Sequence, residues 1–485
     1  MSIKQSLNQI DLWINNEDVL TDRYVEVRDP GRLTDVIGMV AQGNPLHVDQ
    51  AIRSAHEAFL FWRDISVEER SRLLLKCAEL LETDIEKYAS ILTREVGIVH
   101  SQSVWEMYGA MFCLRGAAEL AEDFFKPEVM EDVHTLINIE KVPLGVVTAI
   151  IPWNVPLAIA MSKIAPILVT GNTVVIKPSP FATMAVSMAL KEMSKLFPPG
   201  VINIVHGGAE VGDVLTSHPL VRKITLTGGD KTAKNIMKSA ANSLKRLHFE
   251  LGGNDPAILL DDAHLEKAIP EIVQMAFTRS GQICVATKRV YIPENKFAQA
   301  CEIFIKHMNE FKIGHGLNEN ATFGPVNNKM QYTRVKELIE RTKEQSTVLE
   351  LGEKLEPENW HNGYYIQPTV VINAKPEQEI VTCEQFGPII PLVSYRNEKE
   401  LIQMVNNTEY GLGSSVWTSD YERGFLFARN IEAGMTGING SIDSPLGFNN
   451  VPFGGVKQSG FGWERGKSGL NEYVNYHGIT YHKNK

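Results

Sequence analysis

From residue 142 onward the chain repeats one unit: a short, uniformly apolar, β-rich run, then a turn, and in several places a helix-like stretch. The runs lie at 146–151, 173–176, 201–205, 223–226 and 257–260, and 182–195 and 231–243 are among the stretches between them. Runs that are apolar without alternation suit strands buried on both faces, as parallel strands are between two layers of helices. The pattern predicts a doubly wound α/β sheet, and such sheets collect ligands beyond the carboxyl ends of their strands. A second αβ run follows from about 262 to 450, with turns at Phe386-Gly-Pro388 and Pro452-Phe-Gly-Gly455, and 133–142 reads as a separate strand. No internal repeat interrupts this. Two main α/β domains are expected, within the two to four that 485 residues allow at roughly 100–200 per domain.

Upstream, Ser66-Val-Glu-Glu69 fits a capping box, and Leu74, Cys77, Leu81, Ile85, Tyr88 and Leu92 recur at steps of three and four. That spacing predicts one apolar helix face over 74–92, with Cys77 a packed core thiol. Composition then narrows the class. Against 58 Asp and Glu stand 48 Lys and Arg, a net charge of −10 with no local basic patch, which argues against a nucleic-acid partner. The opening Met1-Ser-Ile-Lys4 lacks the apolar core of an export signal, and no apolar run reaches the ~18–20 residues of a membrane span. The five cysteines (Cys77, Cys113, Cys284, Cys301, Cys383) are odd in number and widely spaced, as expected of free thiols in the cytoplasm. The 13 histidines show no ligand spacing with them, so no metal site is expected.

Four residues stand where chemistry is possible. Cys284, in Ser280-Gly-Gln-Ile-Cys-Val285, follows a helix ending near Arg279, so it is either a sulfur exposed at a turn or a buried inert thiol. Glu250 sits at a strand end before a double glycine, where it is either a base with a raised pKa or a solvated carboxylate. Asn154, between Pro152 and Pro156, is an amide fixed just after a buried strand, or an ordinary turn residue. Lys177, in Lys177-Pro-Ser-Pro180, ends a strand with a cation suited to a phosphate or ribose, or simply solvated. No Gly-x-Gly-x-x-Gly follows a strand; Gly207-Gly208, Gly212 and Thr227-Gly-Gly229 are weaker signals.

Taken in order, Pro152-Trp-Asn154, Lys177-Pro, Glu250-Leu-Gly-Gly253, Gly281-Gln-Ile-Cys284, Glu384-Gln-Phe-Gly-Pro388 and Pro452-Phe-Gly-Gly-Val-Lys-Gln-Ser-Gly460 resemble the NAD(P)-dependent aldehyde dehydrogenase superfamily. The likeness runs from Phe59-Leu-Phe-Trp62 to Gly469-Leu-Asn-Glu-Tyr473. It implies an α/β fold with a Rossmann-like cofactor domain (1–122 and 144–252), a catalytic domain (253–452) and a small β extension (123–143 and 468–485) that builds a homodimer or homotetramer. It also implies an atypical dinucleotide site, which accounts for the missing glycine fingerprint.

The resemblance assigns Cys284 as nucleophile, Asn154 as oxyanion donor and Glu250 as the base that hydrolyses a thioester, with Lys163 and Glu464 relaying the proton. The cofactor residues it implies are Ile150, Pro152, Trp153, Lys177, Ser179, Pro180, Gly208, Gly212, Thr227, Gly228, Gly229, Leu251, Gly252, Glu384 and Phe386. Glu250 argues against a CoA-acylating relative, and the intact set argues against an inert scaffold protein. The sequence departs from the family pattern at Gly229 (usually Ser), Asn254 (Lys), Cys383 (Glu) and Trp463 (Arg). Val155, Pro156, Ile159, Ser162, Ile283 and Val285 should line the substrate tunnel. They are apolar and modest in size, with no evident anion-binding arginine, so an uncharged aldehyde is expected. Pro180 stands where a glutamate often rejects the 2′-phosphate, so NAD is the expected cofactor with NADP also accepted.

Overall fold

A computed structural model describes residues 8–443 and 449–483. The Met1–Lys4 segment and the last two residues of 468–485 lie outside that range.

Four of the apolar runs become parallel neighbours. In spatial order the core of the first sheet is Arg246–Glu250, Val221–Thr227, Val146–Ile150, Thr173–Lys177 and Ile202–Ile204. Antiparallel Leu12–Ile14 and Glu17–Val19 extend one edge, and Gly460–Phe461 the other. The chain starts this core at Val146–Ile150, runs outward to Ile202–Ile204, then crosses back to Val221–Thr227. The order therefore reverses between Val146–Ile150 and Val221–Thr227, which opens a crevice beyond their carboxyl ends. Pro152, Trp153 and Asn154 leave the first of these strands, and Gly228 and Gly229 leave the second.

The run at 257–260 does not join this sheet. Asp255–Leu259 pairs with Thr287–Pro293 and Ser415–Trp417 in a second sheet of seven strands, parallel except at its Thr347–Glu350 edge. A strand apolar on both faces carries no mark of which neighbours it takes, so the run's own pattern could not assign it. A third sheet pairs Val474–His482 antiparallel with Thr135–Pro143 along nine residues, with Glu128–Glu131 on the far side. The strand expected at 133–142 is thus present, and its partner comes from the end of the chain.

The expected helix over 74–92 is two helices, Val67–Thr83 and Ile85–Val96, broken at Asp84 (φ −110°, ψ 23°). Leu74, Cys77, Leu81, Tyr88 and Leu92 still share one core, because the break keeps both helices against His100–Phe124. Each such aliphatic side chain contributes about 1.5–3 kcal/mol by burial. The capping box is half formed. Ser66 Oγ accepts from the Glu69 N–H at 3.3 Å, but the Glu69 carboxylate turns outward to Arg72.

The short edge strand Gly460–Phe461 closes directly over the end of the Glu250 strand. Gly460 lies opposite Glu250, with φ +122°, and a Cβ there would stand 1.9 Å from the Phe249 carbonyl oxygen. Gly460→Ala should therefore lower stability by about 1–3 kcal/mol and push the Glu250 strand end out of place. Urea titration with a parallel activity assay checks this, and a fully active, equally stable variant would contradict it.

Candidate active site

The helix Leu265–Phe277 stops before three successive residues in left-handed conformation, Arg279 (φ 53°), Ser280 (φ 56°) and Gly281 (φ 73°). Only at Gly281 does the close approach demand glycine, since a Cβ would meet the Gly387 carbonyl oxygen at 2.3 Å. Conformations of this kind cost of order 1–3 kcal/mol at non-glycine residues and persist only when neighbours enforce them. Here they do. Arg279 donates to the Asn154 carbonyl at 2.9 Å and pairs with Glu106 at 2.7 Å, both side chains buried. Glu106 also accepts from the N–H groups of Leu157 (2.7 Å) and Ala158 (3.3 Å), capping the helix Pro156–Val169. Asn154 Nδ2 donates to the Gln282 carbonyl at 2.9 Å, and the Gln282 side chain accepts from the Asn327 N–H. The turn presents Cys284 half-buried rather than sealed in the core. Burial pushes its thiol up to about 12, against the pull of the nearby Lys288 cation.

Cys284 lines a cavity of about 490 Å³ together with Glu250, Thr227 and Glu464. Glu250 ends its strand buried, with Oε1 3.3 Å from His248 Nε2 and Oε2 without a hydrogen-bond partner. Burial first, then the neighbouring Glu464, hold its carboxyl well above the usual range. Lys163, fully buried, donates to Glu464 at 2.6 Å and to Thr225 Oγ1 at 3.1 Å, and Ser162 Oγ donates to the other Glu464 oxygen at 2.9 Å. Val155, Ile159, Ile283 and Val285 line the cavity as expected, with the exposed Trp105 and with Phe453. The expectation of an arginine-free tunnel is corrected: Arg279 and Arg465 both reach it. Each faces an acid, Glu106 at 2.7 Å and Asp443 at 2.5 Å. Residues far apart in sequence supply these pairs, so no local pattern revealed them.

Of the residues expected to meet a cofactor, Pro152, Trp153, Gly228 and Gly229 follow the two strands that flank the reversal. Lys177 is buried, not solvated, and burial lowers its pKa to about 8. Trp153 and Phe386 meet edge to face with centroids 5.5 Å apart, and Ile150 and Pro152 are half-buried beside them. Gly208 and Gly229 are the side-chain-free caps of Ala209–Ser217 and Asp230–Ala240, and Gly208, Gly212 and Gly229 all face open space where a Cβ would meet nothing within 4 Å. Thr227 Oγ1 is buried without a partner. A polar group at the crevice with no partner, bare helix N-termini and a buried cation fit a phosphate- and ribose-bearing ligand. Glu384 accepts from the Gly253 N–H at 3.0 Å, and Gly252 makes room for it, since a Cβ there would stand 2.5 Å from Oε2. Gly228 and Leu251 serve the backbone: their N–H groups bond the carbonyls of Glu250 and Ser459. Ser179 Oγ closes a local turn to the Phe181 N–H, and Pro180 is exposed. Among the described residues no cluster of His, Cys, Asp or Glu suits a metal ion, and no helix is long and apolar enough to cross a membrane.

His248, which bonds Glu250, and Thr225, which bonds His248, are not singled out by any motif. His248 carries a signal all the same, since residues two apart on a strand share a face. Thr225 carries none, because its place beside His248 depends on strand pairing.

A buried acid is a stability liability at neutral pH. The unfolded chain ionises Glu250 near its ordinary 4.5, while the folded chain retains the proton to higher pH, so raising the pH through that interval favours unfolding. Glu250→Gln removes the penalty. Its melting temperature should match wild type near pH 4.5 and exceed it by about 1–3 °C at pH 8. Calorimetry across that range tests this, and a gap independent of pH would refute it.

The aldehyde dehydrogenase family model matches residues 13–479. The chain is 35% identical over 468 residues to the mitochondrial succinate-semialdehyde dehydrogenase of Oryza sativa subsp. japonica, covering 95% of this chain and 86% of that one. It is 34% identical over 475 residues to the cytosolic aldehyde dehydrogenase 1 of Mus musculus, covering 96% and 93%. The solved structure of betaine aldehyde dehydrogenase from Staphylococcus aureus in complex with NAD+ superposes with a TM-score of 0.94 at 31% identity, over 99% of this chain and 96% of that one. With a family match along nearly the whole chain and the fold reproduced, the chain belongs to the aldehyde dehydrogenase family and is an NAD(P)-dependent oxidoreductase that oxidises an aldehyde to its acid.

Proposed function

We propose that oxidation takes place in the cavity shared by Cys284 and Glu250, with the Cys284 sulfur as nucleophile and Glu250 as the base. One observation carries this reading: Cys284, with its half-buried thiol, and Glu250, whose buried carboxyl has one oxygen lacking a protein partner, line the same 490 Å³ space beside the strand-reversal crevice. An aldehyde carbon does not release hydride readily, and attack by the thiolate converts it to a tetrahedral oxyanion that does. The Asn154 amide has two hydrogens and uses one on Gln282. Its second hydrogen and the Cys284 backbone N–H serve the oxyanion, and one such preorganised donor contributes ~3–4 kcal/mol. NAD+ supplies the hydride acceptor when bound. Glu250 takes a water proton when the thioester is hydrolysed, its main task, and helps to take the thiol proton at the start. Glu464, bonded to Lys163 at 2.6 Å and lining the cavity, hands protons onward.

We assign Lys177 and Glu384 to the two ribose groups of the cofactor and Trp153 and Phe386 to its walls, with Ile150, Pro152, Thr227, Leu251 and Gly252 behind them. Gly208, Gly212, Gly228 and Gly229 give the backbone close approach, with Ser179 and Pro180 at the outer end. Residues 1–122 and 144–252 then form the cofactor domain, 253–452 the catalytic domain, and 123–143 with 468–485 an oligomerisation extension. The exposed Val129, Met130, Ile479 and Tyr481 on the third sheet support pairing into a dimer or tetramer. The unpaired thiols of all five cysteines support a cytoplasmic setting.

Relatives bear the names of different aldehydes, so the substrate must be read from the cavity. Its two arginines are matched by Glu106 and Asp443, and Glu250 and Glu464 add further acids. An anionic substrate gains little there, which supports an uncharged aliphatic or aromatic aldehyde.

Cys284→Ala should abolish NADH formation across a panel of aldehydes while NAD+ binding, followed by fluorescence, stays intact; turnover near the wild-type rate would refute the assignment. Pro180→Glu places a carboxylate beside the adenosine ribose. It should raise the ratio of kcat/KM for NAD over NADP at least about tenfold, by like-charge repulsion. An unchanged ratio would place cofactor discrimination elsewhere.

A further inference from the structure

Glu250 and Lys163 share no direct hydrogen bond or ion pair among the described residues; two side chains stand between them. Lys163 Nζ donates to Thr225 Oγ1 at 3.1 Å, Thr225 Oγ1 lies 2.9 Å from His248 Nδ1, and His248 Nε2 lies 3.3 Å from Glu250 Oε1. His248 is fully buried. Its ring edge packs on Gly462 (φ +86°), where a Cβ would stand 2.5 Å from His248 Cδ2. The imidazole therefore has one place to sit.

Thr225 Oγ1 has one hydrogen and two lone pairs to share among Lys163, His248 and Tyr473. Lysine can only donate, so Thr225 Oγ1 accepts from Lys163; in the arrangement that also has it accept from Tyr473, its own hydrogen goes to His248 Nδ1. The ring hydrogen is left on Nε2, aimed at Glu250 Oε1. Oε2 has no partner and belongs to a residue lining the cavity.

We propose that His248, oriented by Thr225 and Lys163, is the positioning residue of the general base: its Nε2–H holds Glu250 Oε1, so that Oε2 faces the reacting water. This rests on Cys284 being the nucleophile and Glu250 the base. A hydrogen bond to the carboxylate also favours its charged form, which burial and Glu464 oppose. The other charged groups near Glu250 are Lys163 on the helix Pro156–Val169, Arg465 and Glu472 toward the end of the chain, and Lys223 acting on His248 from the adjacent strand. Lys223 pairs with Glu472 at 2.5 Å and burial lowers its pKa to about 8, so its titration bears on the alkaline limb, while burial keeps His248 neutral.

Three substitutions separate positioning from packing. His248→Phe removes both hydrogen bonds, His248→Asn retains a polar group on the Thr225 side only, and His248→Gln restores a donor near the Nε2 position. For Phe and Asn, the first NADH burst should persist in stopped flow while steady turnover falls about ten- to hundredfold, the range for loss of one charge-assisted hydrogen bond. The acid limb of the steady-state pH profile should move upward by about one pH unit in these two. Gln should return turnover to within a few-fold of wild type, with the limb restored. Equal slowing in Gln and Asn, an unmoved acid limb, or a burst that falls in step with turnover would each overturn the proposal. If the Phe protein does not fold, the contrast between Gln and Asn still decides. Absence of any NADH from wild type with the aldehyde panel would instead overturn the functional reading itself.

Discussion

The buried ion pair between Glu106 and Arg279 ties four parts of the molecule to one point. Glu106 comes from the long helix His100–Phe124, caps the helix Pro156–Val169 through two backbone N–H groups, and meets Arg279 at 2.7 Å. Arg279 in turn holds the Asn154 carbonyl and the left-handed turn that presents Cys284. Such a pair adds little net stability over an apolar replacement, but loss of one partner costs about 3–5 kcal/mol because the other charge stays buried. Its value is geometric. The turn that presents Cys284 would relax without it, and the Asn154 amide sits beside that turn through the same contacts.

Desolvation of charge governs the site as strongly. The thiol of Cys284 and the carboxyls of Glu250 and Glu384 are all held above their ordinary pKa values by burial, and Lys177 is held below. Burial thus opposes charge at each of these groups, which is how sites that move protons are commonly built. Stability is the counterweight, since an acid that resists ionisation weakens the fold as the pH rises.

Glycines at the edge of the first sheet join the fixed geometry to the buried charge. The Gly460–Phe461 strand pairs with the end of the Glu250 strand, and Gly462 leaves space for the His248 ring. Glu464 follows two residues later, and Lys163 meets it from the first sheet's helix layer. The last part of the chain thus reaches back to Glu250 and to Lys163.

Much was legible in sequence because it is local. Strand runs apolar on both faces, the turn glycines, and Glu250 and Cys284 in their own motifs follow from the pattern of neighbouring residues, and a family's worth of such motifs in order identifies the fold. What sequence could not carry is partnership. It did not say that 257–260 opens a second sheet, that the helix over 74–92 breaks at Asp84, that Arg279 and Arg465 meet Glu106 and Asp443, or that Thr225 lies beside His248. Residue type and spacing set which segments bury themselves, because burial depends on each segment's own apolar face. Tertiary structure alone decides which buried groups face one another, because hydrogen bonds and ion pairs are satisfied across strand pairings and helix contacts between segments far apart in the chain.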